Sequence, residues 1–185
     1  MEQMKRLLNY DSLKENKRND CVEQDGISCS NCNRYCNGYL FDDEISCEEK
    51  GKTLKFFCKG HSFYKIKVDD DARYSFLKDR KRCDFIIIHE ELTKIALWVE
   101  LKKGGEEGIN DALEQLGNSI IMFGRNIQEK HAAIVCSRFP KSGSSSTHYK
   151  EKFRKKYDTL LFIGTKQLDL KYNPNDNTIS TRNSK

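Results

Sequence analysis

Apolar residues along this chain gather into short strand-length runs and one long helical stripe. Phe85 to Ile88 and Ile95 to Leu101 are near-continuous apolar runs, the pattern of strands covered on both faces. The second run also alternates, with Ala96, Trp98, Glu100 and Lys102 on one face and Leu97, Val99 and Leu101 on the other, because strand side chains have a period of two. Glu100 and Lys102 therefore point the same way, roughly 7 Å apart along the strand. After "KKGG", Ile109, Leu113, Leu116, Ile120, Phe123 and Ile127 recur at steps of four and three, which predicts a helix from Glu106 to Gln128 with an apolar stripe that packs on the sheet. Glu106 and Glu107 fall in its first turn, where the helix dipole favours anions.

Around these elements, "TLKFFCKG" and "SFYKIKVD" read as strands, and "HAAIVCS" and "TLLFIG" as buried strands. "THYKEKFRKKYD", between the last two, reads as a basic helix, preceded by a flexible loop at "KSGSSS". Strand, helix, strand order implies α/β architecture: a mixed, partly parallel central sheet flanked by helices. Met1 to Asp20 has helix-forming composition. Residues 21–61 are cysteine-rich, with Gly, Asn, Ser and Asp content that suits loops built around a metal. The core is expected over 62–172, and 173–185 reads as a flexible tail.

A length of 185 residues fits one domain with a small appended module. No apolar stretch reaches membrane-spanning length and the first residues are too polar for a secretory signal, so a cytoplasmic protein with no membrane partner is expected. The net charge of +5 permits nucleic-acid binding without demanding it. Eight cysteines with no export signal point away from disulfides and towards metal. "CSNC" is a chelating pair, and "CKGH" repeats its gap. Cys29, Cys32, Cys58 and His61 could form a tetrahedral zinc site, with Cys36 or Cys47 as substitutes. An iron–sulfur cluster is the alternative, and free structural cysteines are the plainer reading. Cys83 and Cys136 lie in apolar strand contexts and read as core.

Acidic-x-Lys is common in so charged a chain and occurs also at Glu15–Lys17, Glu48–Lys50, Asp79–Lys81 and Asp169–Lys171. Glu100–Lys102 stands apart because it ends an apolar strand, Asp84 heads another, and a glycine turn follows. Asp84, fifteen residues, then Glu100-Leu101-Lys102 resembles the active-site signature of the PD-(D/E)xK nuclease superfamily, over roughly Tyr64 to Gly164. Cys83 departs from the pattern, standing where the name-giving proline would be.

The resemblance implies a restriction-endonuclease-like core and a Mg²⁺- or Mn²⁺-dependent endonuclease, on DNA more than RNA, in restriction, phage defence or repair. Asp84 would be the principal metal ligand, Glu100 the second, and the Leu101 carbonyl the third. Lys102 would orient or activate water and stabilise developing charge. Gln115, on the following helix, sits where members of the superfamily often place an active-site glutamine. Early acidic residues (Glu15, Glu44, Asp69, Asp70) could add a ligand. Relatives with iron–sulfur clusters split their cysteines around the core, whereas here six lie upstream, which favours zinc.

Nucleic-acid contact is expected from Lys103 and from Lys150, Lys152, Arg154, Lys155 and Lys156, with Tyr149, Phe153 and Tyr157 turned to the sheet. Double-strand cleavage would call for a homodimer. His89, His131 and His148 read as surface or element-end residues. Two readings compete with the nuclease: a buried ion-pair network with no catalytic task, and a nucleic-acid-binding or protein-interaction module whose cysteine site does the recognition.

Overall fold

The computed structural model describes residues 39–69, 79–102, 104, 106–138 and 143–182. Among the described residues nine strands form one hydrogen-bonded path, a tenth pairs alongside it, and the sheet folds into two leaves. The first leaf holds β1 (Tyr39–Phe41), β4 (Phe63–Lys67), β5 (Phe85–His89), β6 (Ile95–Lys102), β7 (Glu129–Cys136) and β8 (Leu160–Thr165). It is antiparallel from β1 to β6 and parallel from β6 to β8. The second leaf holds β2 (Glu44–Glu49), β3 (Lys52–Phe57), β9 (Gln167–Asn173) and β10 (Thr178–Thr181), with β3 and β9 parallel and the other pairs antiparallel.

The leaves meet at a corner where β8 and β9 share only the pair Thr165–Gln167. Gly164 makes that corner possible, since a Cβ there would lie 2.7 Å from the Leu168 Cβ and 3.1 Å from the Gln167 carbonyl oxygen.

Two helices, α1 (Glu106–Phe123) and α2 (Gly143–Tyr157), cross over between β6, β7 and β8 and cover one face of the first leaf. The alternation of β6 divides the core accordingly. Ala96 and Trp98 pack with Ala112, Leu116, Ile120 and Phe123 of α1 and Phe153 of α2. Leu97, Val99 and Leu101 pack against Ile45, Leu54, Phe56, Leu168 and Leu170 of the second leaf. A strand covered on both sides is why β6 reads as an unbroken apolar run.

Four expectations are corrected. Residues 39–49, placed in a loop-rich cysteine module, form β1 and β2, with Ile45 and Cys47 turned inward and fully buried, beside β3, where a strand was expected from Thr53. The segment read as a tail from residue 173 continues in β9 and β10, anchored by buried Ile179. Helix α1 ends at Phe123 rather than Gln128: the Gly124 amide closes on the Ile120 carbonyl at 2.7 Å, and Ile127 stays buried outside the helix. Helix α2 begins within the expected loop, at Gly143. Among the described residues, no helix is long and apolar enough to cross a membrane.

Candidate active site

Asp84 immediately precedes β5, and Glu100 to Lys102 end the neighbouring β6, so antiparallel pairing of these strands brings the motif together from two chain segments. The site lies where the sheet changes from antiparallel to parallel, at the carboxyl end of β6, the kind of position at which open α/β sheets bind ligands. The Asp84 amide donates to Glu100 Oε2 at 3.2 Å, and the Leu101 amide donates to Asp84 Oδ2 at 2.6 Å. These crossed bonds lock two nearly buried carboxyl groups side by side, with Asp84 8 % and Glu100 1 % exposed.

Lys102 Nζ closes the group. It lies 3.1 Å from Glu100 Oε1 and 2.8 Å from Asp111 Oδ2, on α1. Asp111 also faces Lys81 at 3.4 Å, and Lys81 pairs with Glu114 at 2.8 Å. An open polar cleft of about 810 Å³ adjoins these pairs, bounded by Lys81, Gly104 and the first turns of α1.

Burial raises the pKa of Asp84, offset by the Leu101 amide, and the charges of Glu49 and Asp69 add to the rise. Burial raises Glu100 too, followed by the charge of Asp84, against the pull of Lys102. Burial works against the Lys102 ammonium, but Asp111 and Glu100 outweigh it and its pKa is raised. Asp111 is lowered by its bond to Lys102. Two carboxylates this crowded and this dry are short of positive charge. At the hairpin tip between β2 and β3, Lys50 pairs with Glu49 at 2.9 Å, the chief cause of its raised pKa, and the charges of Asp84 and Lys102 act on it more weakly.

Helix α1 holds the chain that enters the site through a polar stripe at Asp111, Gln115 and Ser119. Asp111 pairs with Lys81; Gln115 Nε2 donates to the Arg82 carbonyl at 3.1 Å; Ser119 Oγ accepts from the Cys83 amide at 2.8 Å. Three successive residues before Asp84 are thus fixed by side chains four residues apart on one helix face. Gln115 contacts the segment leading into the site, and its Oε1 has no partner among the described residues. Gly104 lets α1 start close to β7: its φ is +96°, and a Cβ would fall 2.6 Å from the Arg138 carbonyl oxygen.

The other expected residues are spread through the fold. Lys103, Cys29, Cys32 and Cys36, like Glu15 and Asp70, lie outside the described residues. Cys47 and Cys58 are core residues of the layer between the leaves, their thiols pushed up to about 12, chiefly by burial. His61 packs edge-on against Tyr172 at 5.1 Å. Among the described residues, no three metal-binding side chains converge. On α2, Lys150, Lys152, Arg154, Lys155 and Lys156 are exposed, while Phe153 is buried, its ring tilted against that of Tyr157 at 4.7 Å. His89 and His131 are buried rather than superficial.

Sequence reasoning passed over Asp111, Ser119, Lys81 and the hairpin tip. For the first two a signal exists in the chain, since Asp111, Gln115 and Ser119 recur every four residues beside the apolar stripe. No protein-family model, curated protein or solved structure matches the chain.

Proposed function

We propose that this protein is a metal-dependent nuclease of the PD-(D/E)xK type, on a restriction-endonuclease-like core, acting as an endonuclease on DNA. One observation carries the reading: two buried carboxylates from adjacent strands, tied by crossed amide bonds, are faced by a lysine from the same strand end.

The donor set fits Mg²⁺ or Mn²⁺. Both groups are hard oxygen ligands, burial leaves them wanting a cation, and Mg²⁺ needs only one or two carboxylates because it keeps most of its waters. Only one oxygen of Asp84, Oδ2, is taken by the Leu101 amide, and no bond to the other is seen among the described residues. Asp84 and Glu100 would hold the ion, with the Leu101 carbonyl beside them. When bound, the ion supplies charge neutralisation at the phosphate and acidifies a water.

The chain's own residues do the rest. Glu100 and Asp111 hold the Lys102 ammonium beside the carboxylates, where it can orient a water or meet the negative charge that builds on the phosphate. Gln115 and Ser119 fix the approach to Asp84. The cations of α2 give the phosphate backbone an exposed surface, and a homodimer would supply the second active site that a double-strand break needs. In this reading a zinc, apart from the catalytic group, falls to Cys29, Cys32 and Cys36, because Cys47 and Cys58 are core residues between the leaves.

The test is cleavage of labelled single- and double-stranded DNA and RNA by the wild type and by Lys102→Ala, in Mg²⁺, Mn²⁺ and EDTA. Metal-dependent cutting that is lost in the variant supports the nuclease. Equal binding of one substrate by both proteins in EDTA, with no cutting in any condition, favours a binding module instead.

A further inference from the structure

Among the described residues the Lys102 ammonium pairs with two carboxylates, and the shorter contact is to the one outside the family motif: 2.8 Å to Asp111 against 3.1 Å to Glu100. Both oxygens of Glu100 are already engaged, Oε1 by Lys102 and Oε2 by the Asp84 amide. A divalent ion held by Asp84 and Glu100 therefore arrives where an ammonium already sits. Like charges a few ångströms apart in a part-buried site repel strongly, and the lysine must loosen its hold on Glu100.

Asp111 gives it somewhere to go without leaving the site. The Asp111 side chain is 40 % exposed and that of Lys102 24 %, whereas Glu100 is fixed at 1 %. The outer pair can thus adjust while the inner carboxylate stays put. Asp111 also stands on the first turns of a helix bolted to the strand entry by Gln115 and Ser119, which fixes its backbone beside the end of β6 while its half-exposed side chain can adjust.

We propose that Asp111 is a positioning residue that retains Lys102 when a divalent cation takes Glu100, so that cation and lysine occupy the site together. The inference rests on the metal-dependent reading above and adds to it a residue that the motif does not contain. Without Asp111, Glu100 is the ammonium's one ion-pair partner among the described residues, with Asp84 beside it, and these are the two carboxylates a cation would take.

The test is a double-mutant cycle on Mn²⁺ affinity, measured by titration calorimetry on the full chain with Asp111→Asn, Lys102→Met and both together. Asp84→Asn serves as the control for binding at this site. Thermal unfolding of each variant confirms that it is folded. Asp111→Asn is expected to weaken Mn²⁺ binding about tenfold when Lys102 is present and less than about twofold in the Lys102→Met background, a coupling typical of groups in direct contact. Lys102→Met alone is expected to tighten it.

Equal weakening in both backgrounds would reduce Asp111 to one distant negative charge and overturn the positioning role, even if the wild type binds Mn²⁺ and cuts. The expected coupling in a protein that cuts no nucleic acid would uphold the role and remove the nuclease. Absence of Mn²⁺ binding by the wild type would remove both.

Discussion

The amide of Cys83 donates to the Ser119 hydroxyl at 2.8 Å, joining the residue before the candidate metal ligand to the middle of α1. Both residues are fully buried. This bond gives a physical reason against proline at residue 83, because proline has no N–H to donate.

Ser119→Ala leaves a buried amide unpaired and should lower stability by about 1–3 kcal/mol. Cys83→Pro strands the serine hydroxyl instead and should destabilise to a similar or greater degree. Urea unfolding of each single variant and of the pair checks this. If the effect of proline is to remove this bond, combining it with Ser119→Ala should cost less than the two changes added separately.

The paired carboxylates set a pH dependence of definite sign. In the folded chain, burial, together with the charge of Asp84 on Glu100, raises both pKa values, so the folded state holds these protons more tightly than the unfolded one. Their contribution to stability therefore falls as pH rises above the ordinary carboxylate range of about 4. A cation bound to the pair reverses the effect. Mg²⁺ should raise the unfolding temperature more at about pH 8 than at about pH 5, where protons compete for the same oxygens. The double variant Asp84→Asn, Glu100→Gln should be less pH-sensitive and unresponsive to Mg²⁺. Calorimetric melts at the two pH values decide it, and an equal Mg²⁺ shift in the variant would locate the ion elsewhere.

How much of this was legible follows from where periodicity is strong. β5, β6, α1, β7 and β8 announce themselves because each buries a regular set of positions. β2 does not, since its inward Cys47 alternates with Ile45 but invites a metal-ligand reading. β9 carries a clear alternation of Leu168, Leu170 and Tyr172, hidden by the polar residues between them and by the turn-rich sequence that follows. The motif residues Asp84, Glu100 and Lys102 stand out because charge at the end of apolar strands is rare. Asp111 does not, because α1 begins with several acidic residues and only the crossing of α1 over β6 selects the one that meets Lys102.

The cations of α2 are argued to follow a phosphate backbone, and salt dependence separates that from a merely solvated face. Each phosphate contact contributes about 0.9 to the slope of log affinity against log salt on duplex DNA. Lys152→Ala and Lys155→Ala, both at exposed positions, should each reduce the slope by up to about 1 without altering the melting curve. Fluorescence anisotropy in EDTA over a salt series measures this. Unchanged slopes in both variants would move the docking surface to another face.

His131 predicts acid sensitivity independent of the active site. It is fully buried on β7, stacked on Phe162 at 6.0 Å, with no partner for either ring nitrogen among the described residues. Burial lowers its pKa from 6.5 to about 4. The unfolded chain takes up this proton first, so stability is intact above pH 6.5 and drains away as pH falls towards 4. The loss approaches about 1.4 kcal/mol per pH unit once the unfolded imidazole is protonated. His131→Leu keeps the site apolar and should remove this contribution, so that the stability difference between the two proteins changes as pH falls from 6.5 towards 4, while the carboxylate dependence, which runs from about pH 4 upward, is common to both. Urea unfolding of the two proteins between about pH 7 and pH 4 tests it. Parallel curves would mean that the acid limb arises from other groups.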